Sequence, residues 1–138
     1  RVFAQHLPDK PTLDGYPDEL RIRLLLEEVE EFVNACGYEL GDADDMKNLD
    51  LYYDGEAPKP DWPKMIDALM DILYVTYGAV AAMGLRPEEF WYAVQKSNMA
   101  KVGGPVDPAT GKQLKPPGWE PPPIAEILAN IVARHKKE

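Results

Sequence analysis

The sequence predicts an all-α fold, a bundle of four to five helices. Helix-forming segments with apolar residues three and four apart alternate with proline-rich connectors, and no period-of-two alternation runs long enough to make a strand. Size agrees with this: 138 residues suit one domain, 1–138, with a real core.

The elements follow in order. Residues 1–6 are expected to end a short helix, and Pro8, Pro11 and Gly15 then impose a loop. Pro17 suits the first turn of the next helix, with Asp18 and Glu19 at its positive end, and the apolar spacing predicts a helix over 17–36, closed by Gly37. From Tyr38 to Trp62 the chain is acidic and turn-rich ("GDADD", "DGEAPKPDWP") and reads as a long ordered connector with at most one helical turn. A second helix is expected over 63–83, stopped by Gly84. A third is expected over 87–101, from Pro87-Glu88-Glu89 to the stop at Gly103-Gly104. The stretch "PVDPATGKQLKPPGWEPP" reads as a loop, and a last helix over 123–136 ends on basic residues at its negative end.

Composition excludes several classes. A net charge of -9, from 24 acids against 15 bases, disfavours a nucleic-acid partner, because phosphate backbones attract a surplus of Lys and Arg. The one cysteine, Cys36, cannot form an internal disulfide, which makes the cytoplasm the default location. No secretory leader is legible, and the run Ile72 to Leu85 is shorter than the roughly 20 residues that span a bilayer, so no membrane role is expected. The sequence opens on Arg1 rather than Met, so native residues are expected to precede it.

Misplaced charge marks the candidate site. At about 100° per residue, Ile22, Leu25, Val29, Phe32, Val33 and Cys36 form a broad apolar face on the first helix, with Arg23, Glu27, Glu30 and Asn34 opposite. Glu28 falls inside the apolar arc and Glu31 at its edge, so both are expected along the core-facing seam. On the second helix Asp67 and Asp71 lie four residues apart and share a stripe with Tyr74 and Gly78. The rest of that helix, Met65 to Met83, reads as buried on nearly all sides. Like charges in such a setting repel and are costly to bury, so they are normally paired or bound to a cation. Hard oxygen ligands from two helices suit Mg²⁺, with Mn²⁺ as substitute. Histidine-dependent metals fit poorly, since His6 and His135 lie near the ends of the sequence. The alternative is a hydrogen-bonded polar layer that specifies helix register.

The set "EEVEE" at 27–31, followed by "DALMD" and "YVTYG", resembles the all-α nucleoside triphosphate pyrophosphohydrolases, which include MazG-like proteins, dimeric dUTPases and phosphoribosyl-ATP pyrophosphohydrolases. "SNMAK" and "GKQLKPPGW" are similar to the segment that follows the metal helices in the small MazG-like branch, which has a dUTP-preferring member. The resemblance implies a MazG-like bundle and Mg²⁺-dependent hydrolysis between the α and β phosphates of a (d)NTP, dUTP among the candidates, to a (d)NMP and pyrophosphate. By position, Glu27, Glu28 and Glu31 match its Glu-Glu-x-x-Glu motif and Asp71 the last residue of its Glu-x-x-Asp motif. The Glu of that second motif falls at Ala68. Asp67 is the natural substitute, because it lies about 40° from Asp71 on the helix, whereas position 68 lies about 60° to the other side.

The roles that follow are Glu28, Glu31, Asp67 and Asp71 as metal ligands and Glu27 as the group that activates water, a further metal ligand or a support behind the ligands. Asn98 and Lys101 match a substrate-contacting Asn-x-x-Lys element, and Lys112 joins them. Trp91, Tyr92 and Trp119 read as packing residues before base-stacking ones. Ile66, Leu69, Leu73, Ala79, Val80 and Ala82 exceed what the other helices cover, so a homodimer or a dimer of dimers is expected. Two other readings stand: a helical nucleotide-binding or oligomerisation module whose catalysis was lost with Ala68, and a phosphoribosyl-ATP pyrophosphohydrolase.

Overall fold

The computed structural model describes residues 7–41, 50–55 and 57–136. Its elements in chain order are α1 (Asp18–Ala35), β1 (Glu39–Leu40), β2 (Leu51–Tyr52), α2 (Trp62–Ala81), α3 (Pro87–Met99) and α4 (Ile124–His135). The four expected helices are present, each starting and stopping within two residues of its predicted ends. The helix end expected over 1–6 lies outside the described residues.

Local chemistry sets the boundaries. Pro17 caps α1 from just outside rather than within its first turn, and Asp18 and Glu19 meet the positive helix end. On α2 the Asp61 carboxylate accepts the Lys64 amide at 3.3 Å, and Pro63 occupies the first turn, where its missing N–H costs nothing. Gly84, in the left-handed region at φ 70°, ends the turn after α2. A side chain there would collide with the carbonyl of Lys10.

The connector after α1 holds two strands that the sequence did not predict. Glu39 pairs with Tyr52 and Leu40 with Leu51 in an antiparallel ladder, too short for any alternation to register. Tyr38 and Tyr53 pack edge to face beside it, 5.6 Å apart at 89°. Residues 42–49 of the connector lie outside the described residues, so a helical turn there is not at issue.

The most extensive pairing in the molecule is α1 against α2. The two run antiparallel and are tied at both ends. At one end the Asp61 amide donates to the Ala35 carbonyl at 2.8 Å, and at the other the Thr12 amide donates to the Met83 carbonyl at 3.0 Å. On α2 the packed stripe is Ala68, Val75 and Ala79, small residues that let the helices approach closely.

Two burial expectations need correction. The packed face of α1 is rotated by about 90° from the predicted apolar arc. Arg21 and Ala35 are buried, whereas Ile22 and Val29 are exposed at 57% and 37%. Gly78, which lacks a Cβ, leaves room on α2 for the Arg21 guanidinium. Nor is α2 buried on nearly all sides. Ile66, Met70, Leu73 and Tyr77 are exposed along the stripe opposite its packed one, while Ala79 belongs to the core. No helix among the described residues is long and apolar enough to cross a membrane.

Beyond α3 the chain makes a structured loop. Asp107 accepts the Ala109 amide at 2.8 Å, Val106 and Gln113 form a bridge, and the Gln113 amide donates to the carbonyls of Gly104 and Pro105 at 2.8 and 3.1 Å. On α4, Arg134 reaches back to Glu89 of α3 at 2.6 Å, and Ile131 fills the core.

Candidate active site

The pairing of α1 with α2 brings the acidic residues of both helices to one seam. Glu28 is half-buried there, and burial is the main reason its carboxyl is held above the ordinary carboxylate range. The negative charges of Asp71, Glu31, Glu27 and Asp67 push it further the same way, in that order of strength. Five acids from two helices therefore share one electrostatic neighbourhood centred on Glu28.

The expectation of burial holds for Glu28 alone. Glu27, Glu31, Asp67 and Asp71 are exposed, along the open edge of the seam rather than inside it. Among the described residues, no three His, Cys, Asp or Glu side chains converge closely enough to hold a metal. The donor set still suits a hard divalent cation, because it is all oxygen and all acidic, and Glu28 carries a repulsion that such a cation relieves. Of the two histidines, His135 lies in the last turn of α4, and His6 is outside the described residues.

Ala68 is the most deeply buried of the core residues, at 3% exposure. It belongs to the packed stripe of α2, so its small side chain is part of what lets α1 and α2 close. A carboxylate here would enter the seam from within. Asp67 reaches the same neighbourhood from the exposed side, with the weakest of the four charge effects on Glu28.

The basic residues form a second cluster. The ammonium of Lys101 donates to the Asn98 side chain at 2.8 Å. It also lies 5.1 Å from the centre of the Trp119 ring, which Lys115 approaches to 4.5 Å. Asn98 and Lys101 are thus brought together. Lys112 is not part of this group; it sits exposed on the turn after Gly111, close enough to Asp107 to lower that carboxyl's pKa, behind the larger effect of the Ala109 amide.

Trp119 packs against α3 as expected. Its indole donates to the Ser97 carbonyl at 2.8 Å, and the buried Ser97 hydroxyl donates to the Glu120 carbonyl at 3.0 Å. Between α3 and the proline-rich segment lies a cleft of about 600 Å³, lined by Tyr92, Lys96, Ser97, Pro117 and Trp119 among others. Trp91 and Tyr92 are exposed at 66% and 76%, so neither is buried among the described residues.

Sequence reasoning missed Arg21, the one buried charged residue among those described. Its guanidinium lies over Gly78, with Nη1 3.0 Å from where a Cβ on that glycine would stand. A signal was present: Gly78 is the only glycine within α2 and lies on the stripe of Asp67 and Asp71. Ser97 was also missed, and nothing in its spacing marks it.

The family model for phosphoribosyl-ATP pyrophosphohydrolase matches residues 1–98. That span takes in both acidic helices and ends at Asn98, before Lys101 and the loop that carries Trp119. No curated protein matches the chain.

Proposed function

Because the chain belongs to the phosphoribosyl-ATP pyrophosphohydrolase family, and so is a nucleotide pyrophosphohydrolase of the MazG-like superfamily, we propose that it hydrolyses a (d)NTP, dUTP among the candidates, between the α and β phosphates. Water adds to phosphorus, the α–β phosphoanhydride bond breaks, and the products are a nucleoside monophosphate and pyrophosphate. The observation that carries this reading is the pairing of α1 with α2, which gathers Glu28 and four further acids along one seam.

Glu28, Glu31, Asp67 and Asp71 would hold Mg²⁺, or Mn²⁺ in its place. When bound, the cation supplies neutralisation of the phosphate charge and acidity for the attacking water. Glu27, exposed beside Glu28, accepts the water proton. The apolar packing beneath, Ala68 and Val75, fixes the helix that carries Asp71 and keeps water from one side of the seam. Asn98 and Lys101, already joined to each other, present one amide and one ammonium to the phosphates.

The partner in this reading is a second copy of the chain. The exposed stripe of Ile66, Met70, Leu73 and Tyr77, extended by Trp62 at 79% exposure, has the continuity of a helix-packing face.

A second reading, hydrolysis of phosphoribosyl-ATP, is favoured by the description of the matching family. Both substrates undergo the same bond cleavage. Pyrophosphate release measured over a panel of canonical and modified nucleotides and phosphoribosyl-ATP, with Mg²⁺ and with Mn²⁺, separates them. Turnover should vanish on chelation and fall by about a hundredfold or more in Asp71→Ala. Metal-replete protein inert toward the whole panel would leave the nucleotide-binding module as the better description.

A further inference from the structure

Arg21 lies on the same seam as Glu28, seven residues earlier on α1, and Gly78 lies seven residues after Asp71 on α2. Seven residues make two turns of helix, about 10.5 Å. Since the helices are antiparallel, the contact of Arg21 with Gly78 sets a register in which Glu28, two turns along α1, stands level with Asp71, two turns back along α2.

From this we infer that Arg21 is a positioning residue: seated over Gly78, it fixes the offset between α1 and α2 that brings Glu28 beside Asp71. The inference rests on reading that seam as a divalent-cation site. Gly78 is the one position of α2 without a Cβ, and a side chain there would already meet the Arg21 guanidinium. Sliding α1 by one turn would set that bulk against Tyr74 or Ala82, where a Cβ fills the space. A glycine inside a helix is otherwise unfavourable, and its presence opposite a buried arginine is explained by the fit between them.

Charge and shape give opposite signs here. Arg21 is a cation in the seam where a metal cation would bind, so if its charge alone mattered, removing it would tighten metal binding. If its bulk holds the register, removing it lets Glu28 and Asp71 move out of line, and binding weakens.

Mn²⁺ titration of the full chain, followed by electron paramagnetic resonance with helix content read by circular dichroism, tests this. Arg21→Ala is expected to weaken Mn²⁺ binding at least tenfold with helix content retained, while Arg21→Met, which keeps a long chain over Gly78, stays within threefold of wild type. Unchanged or tighter binding in Arg21→Ala overturns the inference, and so does Arg21→Met losing as much as Arg21→Ala. Should Arg21→Ala not keep its helices, Gly78→Leu, which forces the guanidinium out from the α2 side, is expected to lose tenfold, and wild-type affinity in that variant overturns the inference. A wild type that binds no Mn²⁺ defeats the metal reading and this inference together. Equal binding in wild type and folded Arg21→Ala defeats the inference alone.

Discussion

The indole nitrogen of Trp119 donates a 2.8 Å hydrogen bond to the backbone carbonyl of Ser97, fastening the loop after α3 to the last turns of that helix. Lys101 and Lys115 approach the same ring, so one side chain organises both lysines. Trp119→Phe keeps a ring for them and loses the hydrogen bond, with an expected cost of about 1 kcal/mol. Trp119→Ala loses packing as well, about 2–3 kcal/mol for a half-buried indole. Denaturant unfolding monitored by circular dichroism checks both, and a Trp119→Ala protein as stable as wild type would show that the loop does not depend on this anchor.

Glu28 should make the metal-free protein more stable in acid. Its carboxyl titrates above the ordinary value of 4.5 in the folded chain, so as pH falls the folded state binds the proton before the unfolded state does. Its contribution to stability is complete below 4.5 and is lost as pH rises through the raised folded value. Glu28→Gln removes the charge, so without metal it should melt about 1–3 °C higher than wild type at neutral pH and converge with it below 4.5. Thermal scans between pH 4 and 8 with chelator present make the comparison. A variant that melts lower at neutral pH would mean the carboxylate is stabilised by a partner.

Ala68→Glu separates the two accounts of the second acidic motif. The position is 3% exposed, and an unpaired carboxylate there should cost roughly 2–4 kcal/mol without metal. Saturating Mn²⁺ should recover part of that loss and raise the melting temperature more in the variant than in wild type. In the same titration, Asp67→Asn should weaken binding about tenfold if Asp67 is a ligand. Wild-type affinity in Asp67→Asn would remove Asp67 from the ligand set.

The exposed stripe of α2 makes a concentration-dependent prediction. If a second copy covers it, the wild type sediments as a dimer at micromolar concentration, and Leu73→Lys, which sets a charge in the middle of the stripe, shifts the dissociation constant upward at least a hundredfold. Monomeric wild type at about 100 μM would reject the homodimer.

The helices were legible because their boundaries rest on local chemistry: Asp61 and Pro63 start α2, Pro87 starts α3, and Gly37, Gly84 and Gly103 stop what precedes them. The rotation of α1 was not. Periodicity shows which residues are apolar, but the face that packs depends on the partner's shape, and on α2 Gly78 leaves room for the Arg21 guanidinium. The acids of the candidate site could be read as a group from spacing alone. Which of them is buried could not, because Glu28 and Glu31 differ by less than one turn and only the rotation of α1 decides between them. The Lys101–Trp119 contact joins residues on either side of a long loop, and nothing in its spacing announces it.

The connector between α1 and α2 leaves and returns at nearly the same place: a side chain on Gly37 would press into the backbone of Lys59, and Asp61 is already hydrogen-bonded to Ala35. The excursion over residues 38–58 is therefore closed at its base by contacts that do not depend on its own length. Chain length between Gly37 and Lys59 can thus change without moving the ends of α1 and α2 that these contacts tie together.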